Sequence, residues 1–126
     1  MTASVRIKRA YEDRTDSDGY RVLVDRLWPR GLSKATFQYD RWCKDLAPST
    51  ALRNWFGHDP ERWEGFRRDY LAELRAAPAQ ALIGELLAAA RGGPITLLYG
   101  ARDTAHNQAV VLAEVMNACA QPPRID

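Results

Sequence analysis

The sequence predicts a single small α/β domain, with a mainly parallel sheet flanked by helices. Three observations point to it. Val22-Leu23-Val24 and the run Ile95 to Tyr99 lack polar alternation, as expected of strands buried on both faces. Helical patterns separate these two runs, and a helix between two buried strands favours parallel pairing. The chain has 126 residues, 46% hydrophobic and 27% charged, which is the size and balance of one globular core.

The elements follow in order. Val5 and Ile7 alternate with Arg6 and Lys8, so Ser4 to Tyr11 reads as a strand with one buried face. Glu12 to Gly19 is polar and ends in Asp-Gly, a turn or loop. Tyr20 to Trp28 forms the second strand, stopped by Pro29-Arg30-Gly31, after which Ser33 can cap a short turn. Phe37 and Tyr39 alternate with Gln38 and Asp40, a candidate third strand. Ser49 or Thr50 caps a short helix over Ala51 to Phe56 that ends at Gly57. Asp59 and Pro60 open a longer helix whose Trp63, Phe66, Tyr70 and Leu74 make one apolar stripe. Pro78 starts another, roughly Ala79 to Arg91, closed by Gly92-Gly93. Ile95 to Tyr99 is a buried strand, and a last helix runs from about Thr104 to Cys119. No repeat or linker interrupts the chain, so the domain spans 1–126 with a core near 4–119 and a frayed tail over 120–126.

Composition excludes several classes. No apolar run approaches the ~20 residues of a membrane span. The first residues carry no apolar stretch behind their positive charges, against a secretory leader, so a cytoplasmic location is expected. Cys43 and Cys119 are isolated, and His58 and His106 lie far apart, so neither a disulfide framework nor a metal centre is expected, and no cofactor. Net charge is only +2, but up to Arg53 there are eleven Lys/Arg against seven Asp/Glu, and beyond it seven against nine. A basic first half fits a small anionic ligand and fits nucleic acid weakly.

Ligands of open parallel sheets bind beyond the C-terminal strand ends. Two such ends are loaded with chemistry here. One carries Asp25, Arg26, Trp28 and Arg30. The other carries Tyr99, Arg102, Asp103, His106 and Asn107. Arg26 and Arg30 offer planar forks for phosphate or carboxylate, with Trp28, Tyr99 and Asn107 as further ligand-binding candidates. Asp103 and His106, three apart, can pair on a first helical turn for general acid–base work. Each has a structural alternative. Asp25 or Asp45 can pair with the arginines as a brace, and Asp103 or Thr104 can simply cap the helix while His106 faces solvent. His58, in a Gly-His-Asp-Pro turn, reads as a brace for the helix that follows. No Walker or GxGxxG glycine pattern supports a nucleotide cradle.

Three stretches, GYRVLVDRLWPRGLSK, KDLAPSTALRNWFGHDPERWEGFRRDYLAEL and ITLLYGARDTAHNQAVVLAEVM, resemble the YeaO-like branch of the domain-of-unknown-function 488 family, from about Ile7 to Met116. The resemblance implies a small bacterial cytoplasmic α/β protein and assigns no activity. The broader family is similar in placing a Cys-Glu…Cys-His-Arg group where this chain has Tyr99-Gly100…His106-Asn107-Gln108, so thiol or metal chemistry does not carry over. Arg26, Trp28, Arg30, His58, Asp103, His106 and Asn107 match family motifs without assigned roles.

Two readings stand. The first is a binding protein or enzyme for a small phosphate- or nucleotide-like anion, held by Arg26 and Arg30 at the strand ends. The second is a non-catalytic protein- or nucleic-acid-interaction module that uses exposed Trp and Arg side chains. The absence of a helix-turn-helix or RNA-binding motif ranks the nucleic-acid version lower. Oligomeric state is not encoded in any pattern here.

Overall fold

The computed structural model describes residues 4–120. Four strands form one sheet: β1 (Val5–Arg9), β2 (Tyr20–Leu23), β3 (Arg41–Trp42) and β4 (Ile95–Tyr99). Their order is β1-β4-β2-β3, and every neighbouring pair is parallel. Four helices accompany them: α1 (Thr50–Phe56), α2 (Trp63–Leu74), α3 (Ala77–Ala90) and α4 (Gln108–Ala120). The frayed tail expected from the sequence falls almost wholly outside the described residues.

The register explains the two faces. Val5, Val22, Ile95, Leu97 and Tyr99 point to one side and pack with residues of all four helices, among them Phe56, Phe66, Tyr70, Leu86 and Leu112. Each fully buried aliphatic or aromatic side chain contributes about 1.5–3 kcal/mol. Leu23 and Leu98 point to the opposite side, which Trp28, Leu32, Phe37 and Trp42 cover. Among the described residues no helix contributes to that second cluster; the β2–β3 connection takes the place of one.

That connection is why β2 is shorter than the expected Tyr20–Trp28. Val24 still donates to the Leu98 carbonyl at 3.0 Å, and the ladder then stops. The Trp28 ring packs edge-on to Phe37, Tyr39 and Trp42, at centroid separations of 5.6, 5.6 and 5.5 Å. Its indole N–H donates to the Leu32 carbonyl at 2.8 Å. Phe37 and Tyr39 are thereby committed to the Trp28 cluster. Strand pairing begins only afterwards, at Arg41 rather than at Phe37.

Helix ends follow capping chemistry. The Ser49 hydroxyl accepts from the Leu52 N–H, and α1 stops at Gly57 with a left-handed φ of 53°. Asp59 caps a single 3-10 turn, Pro60–Arg62, that leads directly into α2. α4 starts four residues later than the expected Thr104. Asp103 caps a separate turn through the Ala105 and His106 N–H groups, and Asn107 caps α4 through the Val110 N–H. Two adjacent capping side chains thus split one expected helix start into two turns.

The outer edge of β1 is closed by a side chain. Val5, Ile7 and Arg9 direct their backbone groups away from β4. The Asn117 amide on α4 accepts from the Val5 N–H at 2.9 Å and donates to the Val5 carbonyl at 3.0 Å. Glu12 accepts from the Arg9 N–H at 3.0 Å, and the Glu12 N–H donates to the Arg9 carbonyl. No described helix is long and apolar enough to cross a membrane.

Candidate functional site

The C-terminal ends of β2 and β4 are neighbours, and a cleft of about 410 Å³ opens beside them. Its volume lies in the ~300–1,000 Å³ range of small-molecule sites. Four cationic or basic side chains line it: Arg26 and Arg30 after β2, Arg53 on α1, and His58 just beyond α1. Asp25, Asn107 and Gln108 add polar groups, while Phe56 and Phe66 form apolar wall.

The chain positions these groups by local rules. β2 ends beside β4, so Asp25 faces the Gly100 backbone, and the Gly100 N–H donates to Asp25 Oδ2 at 2.9 Å. Gln108, the first residue of α4, donates from Nε2 to Asp25 Oδ1 at 2.5 Å. A side chain at position 100 would not fit, because a Cβ there would lie 2.9 Å from Asp25 Oδ2 and 3.3 Å from Pro29 Cβ. His58 follows Gly57 in the left-handed region, φ 57°, a conformation that costs a non-glycine residue energy and tends to persist at functional positions. Tyr11 donates its hydroxyl to the Arg30 carbonyl at 2.7 Å and pins the outer loop.

Asp25 is the electrostatic oddity of the cleft. Burial raises its pKa from 3.8 to about 6, against the opposing effects of the Gly100 and Gln108 hydrogen bonds and of the His58 and Arg53 charges. Among the described residues it forms no ion pair.

Arg26 answers part of the arginine question. Its Nε donates to the Pro48 carbonyl at 3.0 Å and its Nη2 to the Ala47 carbonyl at 3.3 Å. The guanidinium braces the loop before α1, yet carbonyl partners leave its charge uncancelled at the cleft wall. Arg30 is exposed at the mouth. The expected partners Asp25 and Asp45 bridge to neither arginine among the described residues.

The remaining expected site residues divide. Trp28 and Asn107 line the cleft, Trp28 with its ring engaged in the aromatic cluster and Asn107 while capping α4. Tyr99 is buried within the helical face of the sheet, and burial raises its hydroxyl pKa. Asp103 and His106 do pair, Nδ1 to Oδ2 at 2.9 Å, but neither is among the residues lining the cleft. The Ala105 N–H, with His106 after it, holds the Asp103 carboxyl below its usual range, as a helix cap requires. The His106 ring instead meets Trp63 edge-on at 5.2 Å. Arg53, His58, Gln108 and Gly100 were not singled out as site residues from the sequence. His58 follows a helix stop and Gly100 a strand end, whereas Arg53 lies within α1 and Gln108 opens α4, where no local signal marks a site residue. Among the described residues no cluster of three or more His, Cys, Asp or Glu side chains is arranged for a metal ion.

Comparisons with known proteins identify the chain's relatives. Residues 4–122 match the family model DUF488-N3i, described as the inactive DUF488-N3 subclade. The chain is 45% identical over 112 residues to the uncharacterized protein YeaO of Escherichia coli strain K12, covering 88% of this chain and 95% of that protein. It is 42% identical over 113 residues to the uncharacterized protein Rv3073c of Mycobacterium tuberculosis strain H37Rv, covering 90% and 93% respectively. No solved structure matches.

Proposed function

Because the chain belongs to the DUF488-N3i family, a subclade described as inactive, we propose that it binds a small phosphate- or nucleotide-like anion at the β2–β4 strand ends without transforming it. The observation that carries this reading is the cleft itself: Arg26, Arg30, Arg53 and His58 line one cavity of ligand size. Arginine forks suit phosphate and carboxylate, and clustered positive charge draws anions in. The Asp103–His106 pair lies apart from the lining, which favours binding over acid–base catalysis.

A thermal-shift series with inorganic phosphate, sugar phosphates and mononucleotides tests the proposal, on wild type beside Arg30→Ala and Arg53→Ala. A native-state ligand at a hundred times its Kd stabilises by about 2.7 kcal/mol, a rise of several degrees for a domain of this size. The expected result is a rise in wild type that shrinks in both variants and weakens with added salt. No rise with any anion, in a folded wild type, sinks the reading and favours the interaction module.

A further inference from the structure

The cation-lined cleft contains one carboxylate, Asp25, whose bracing bonds to the fold do not use all of its acceptor sites. Asp25 is half-buried and held in place from two sides, by the Gly100 N–H and the Gln108 amide. A carboxylate oxygen can accept about two hydrogen bonds. Among the described residues each oxygen accepts one, which leaves each a further acceptor site. No described cation bridges Asp25, although four basic side chains line the same cavity. Among the described residues no arginine of the cleft serves as its ionic brace. Arg26 instead turns to the Ala47 and Pro48 carbonyls.

We propose that Asp25 selects hydroxyl-bearing anions: the anionic group of the ligand lies among Arg30, Arg53 and His58, and a ligand hydroxyl donates to the carboxylate. The inference rests on the anion reading above. It adds the class of ligand. An anion placed directly against Asp25 is repelled by it, so the charged group is confined to the exposed arginines and His58. What reaches Asp25 must donate a hydrogen bond. An ammonium would do so, but it would enter a cavity lined by three arginines. A neutral hydroxyl satisfies both ends. The ligand class is thus a phosphorylated polyol or sugar rather than a bare or alkyl phosphate.

Two probes of equal charge and similar length separate the ideas: glycerol 3-phosphate, and propyl phosphate, which lacks its hydroxyls. Calorimetric titration at pH 8, where Asp25 is ionised, is expected to show glycerol 3-phosphate binding about tenfold tighter, the order that one hydrogen bond to a charged group supplies. In Asp25→Asn the ratio of the two affinities is expected to fall towards one. If that variant does not fold, wild type at pH 5 provides the same reading. There Asp25 is largely protonated, and the preference is expected to shrink several-fold. Changes in the phosphate charge act on both probes and cancel in the ratio. Equal binding of both probes to wild type leaves the anion site standing and overturns the selectivity. A preference that survives in folded Asp25→Asn, or is undiminished at pH 5, also overturns it. Binding of neither probe, nor of inorganic phosphate, overturns the anion reading itself.

Discussion

The Asp25 carboxylate and the Gly100 backbone N–H meet at 2.9 Å, across the ends of two adjacent parallel strands. Seventy-five residues separate them in the chain. Their meeting fixes where β2 turns out of the sheet, and with it the place of Arg26 and Arg30. A strand end that would otherwise fray becomes a rigid wall of the cleft.

The same contact sets a pH dependence. Unfolded Asp25 titrates near 3.8 and the native residue near 6. Between those values the native state holds the extra proton, so stability falls as pH rises through the window. Above pH 6 the loss is complete, roughly 2 kcal/mol after allowance for the solvent-facing side of the carboxyl. Asp25→Asn is expected to flatten urea-derived stability between pH 4 and 6 and to be the more stable protein at pH 8. A carboxyl carbon resonance of Asp25 titrating near 3.8 would contradict this.

Gly100→Ala is expected to destabilise the domain by about 1–3 kcal/mol, the usual penalty for overpacking. The added methyl would sit against Asp25 Oδ2 and Pro29, both fixed by neighbouring structure. Urea denaturation reads the loss. Anion binding should weaken in the same variant because the β2 exit shifts.

Arg26 and Arg30 are predicted to separate cleanly. Arg26→Ala removes donors to two carbonyls and should cost about 1.5–3 kcal/mol of stability. Arg30→Ala, at an exposed position, should change stability by no more than ~0.5 kcal/mol while weakening anion binding. Equal stability of Arg26→Ala and wild type would refute the bracing role.

A second buried charge works in the opposite pH direction. Burial alone would raise the Asp18 pKa, but hydrogen bonds from Thr15, Lys8 and Arg21 outweigh it and hold the carboxyl well below its usual range. Arg21 is buried too and donates to Asp18 at 2.5 Å. Asp18 therefore contributes stability above about pH 4 that is lost as pH falls further towards its native value. Asp18→Asn should cost about 3–5 kcal/mol at pH 7 by stranding the Arg21 charge. The double variant Asp18→Asn/Arg21→Met should lose less than the two single losses combined. Strict additivity in urea denaturation would show that the two side chains act independently.

Much of this fold could be read from the residues. Periodicity located β1, and a run without polar alternation located β4 at its observed bounds. Ser49, Gly57 and Asp59 marked helix ends because caps act through their immediate neighbours. The errors came where distant contacts decide. The aromatic cluster around Trp28 drew Phe37 and Tyr39 out of a strand-like pattern, and no local signal records that. The site was half visible. Arg26, Trp28, Arg30 and Asn107 stood out beside strand ends, whereas Arg53 and His58 reach the cleft only because α1 folds over it. The Asp103–His106 spacing correctly gave a pair, but where that pair lies depends on Asn107 taking over the start of α4.

Asn117 has a consequence for self-assembly. Sheets grow when a foreign extended segment docks onto an unsatisfied border. By occupying both backbone groups of Val5, one amide on α4 mimics a fifth strand one residue long. With Glu12 engaging Arg9, Ile7 is, among the described residues, the one outward-facing position of β1 left for an incoming segment. A single vacant position is too little to template an addition. The helix that closes the domain thus also polices the solubility of its sheet, and protection against aggregation hangs on the docking of α4.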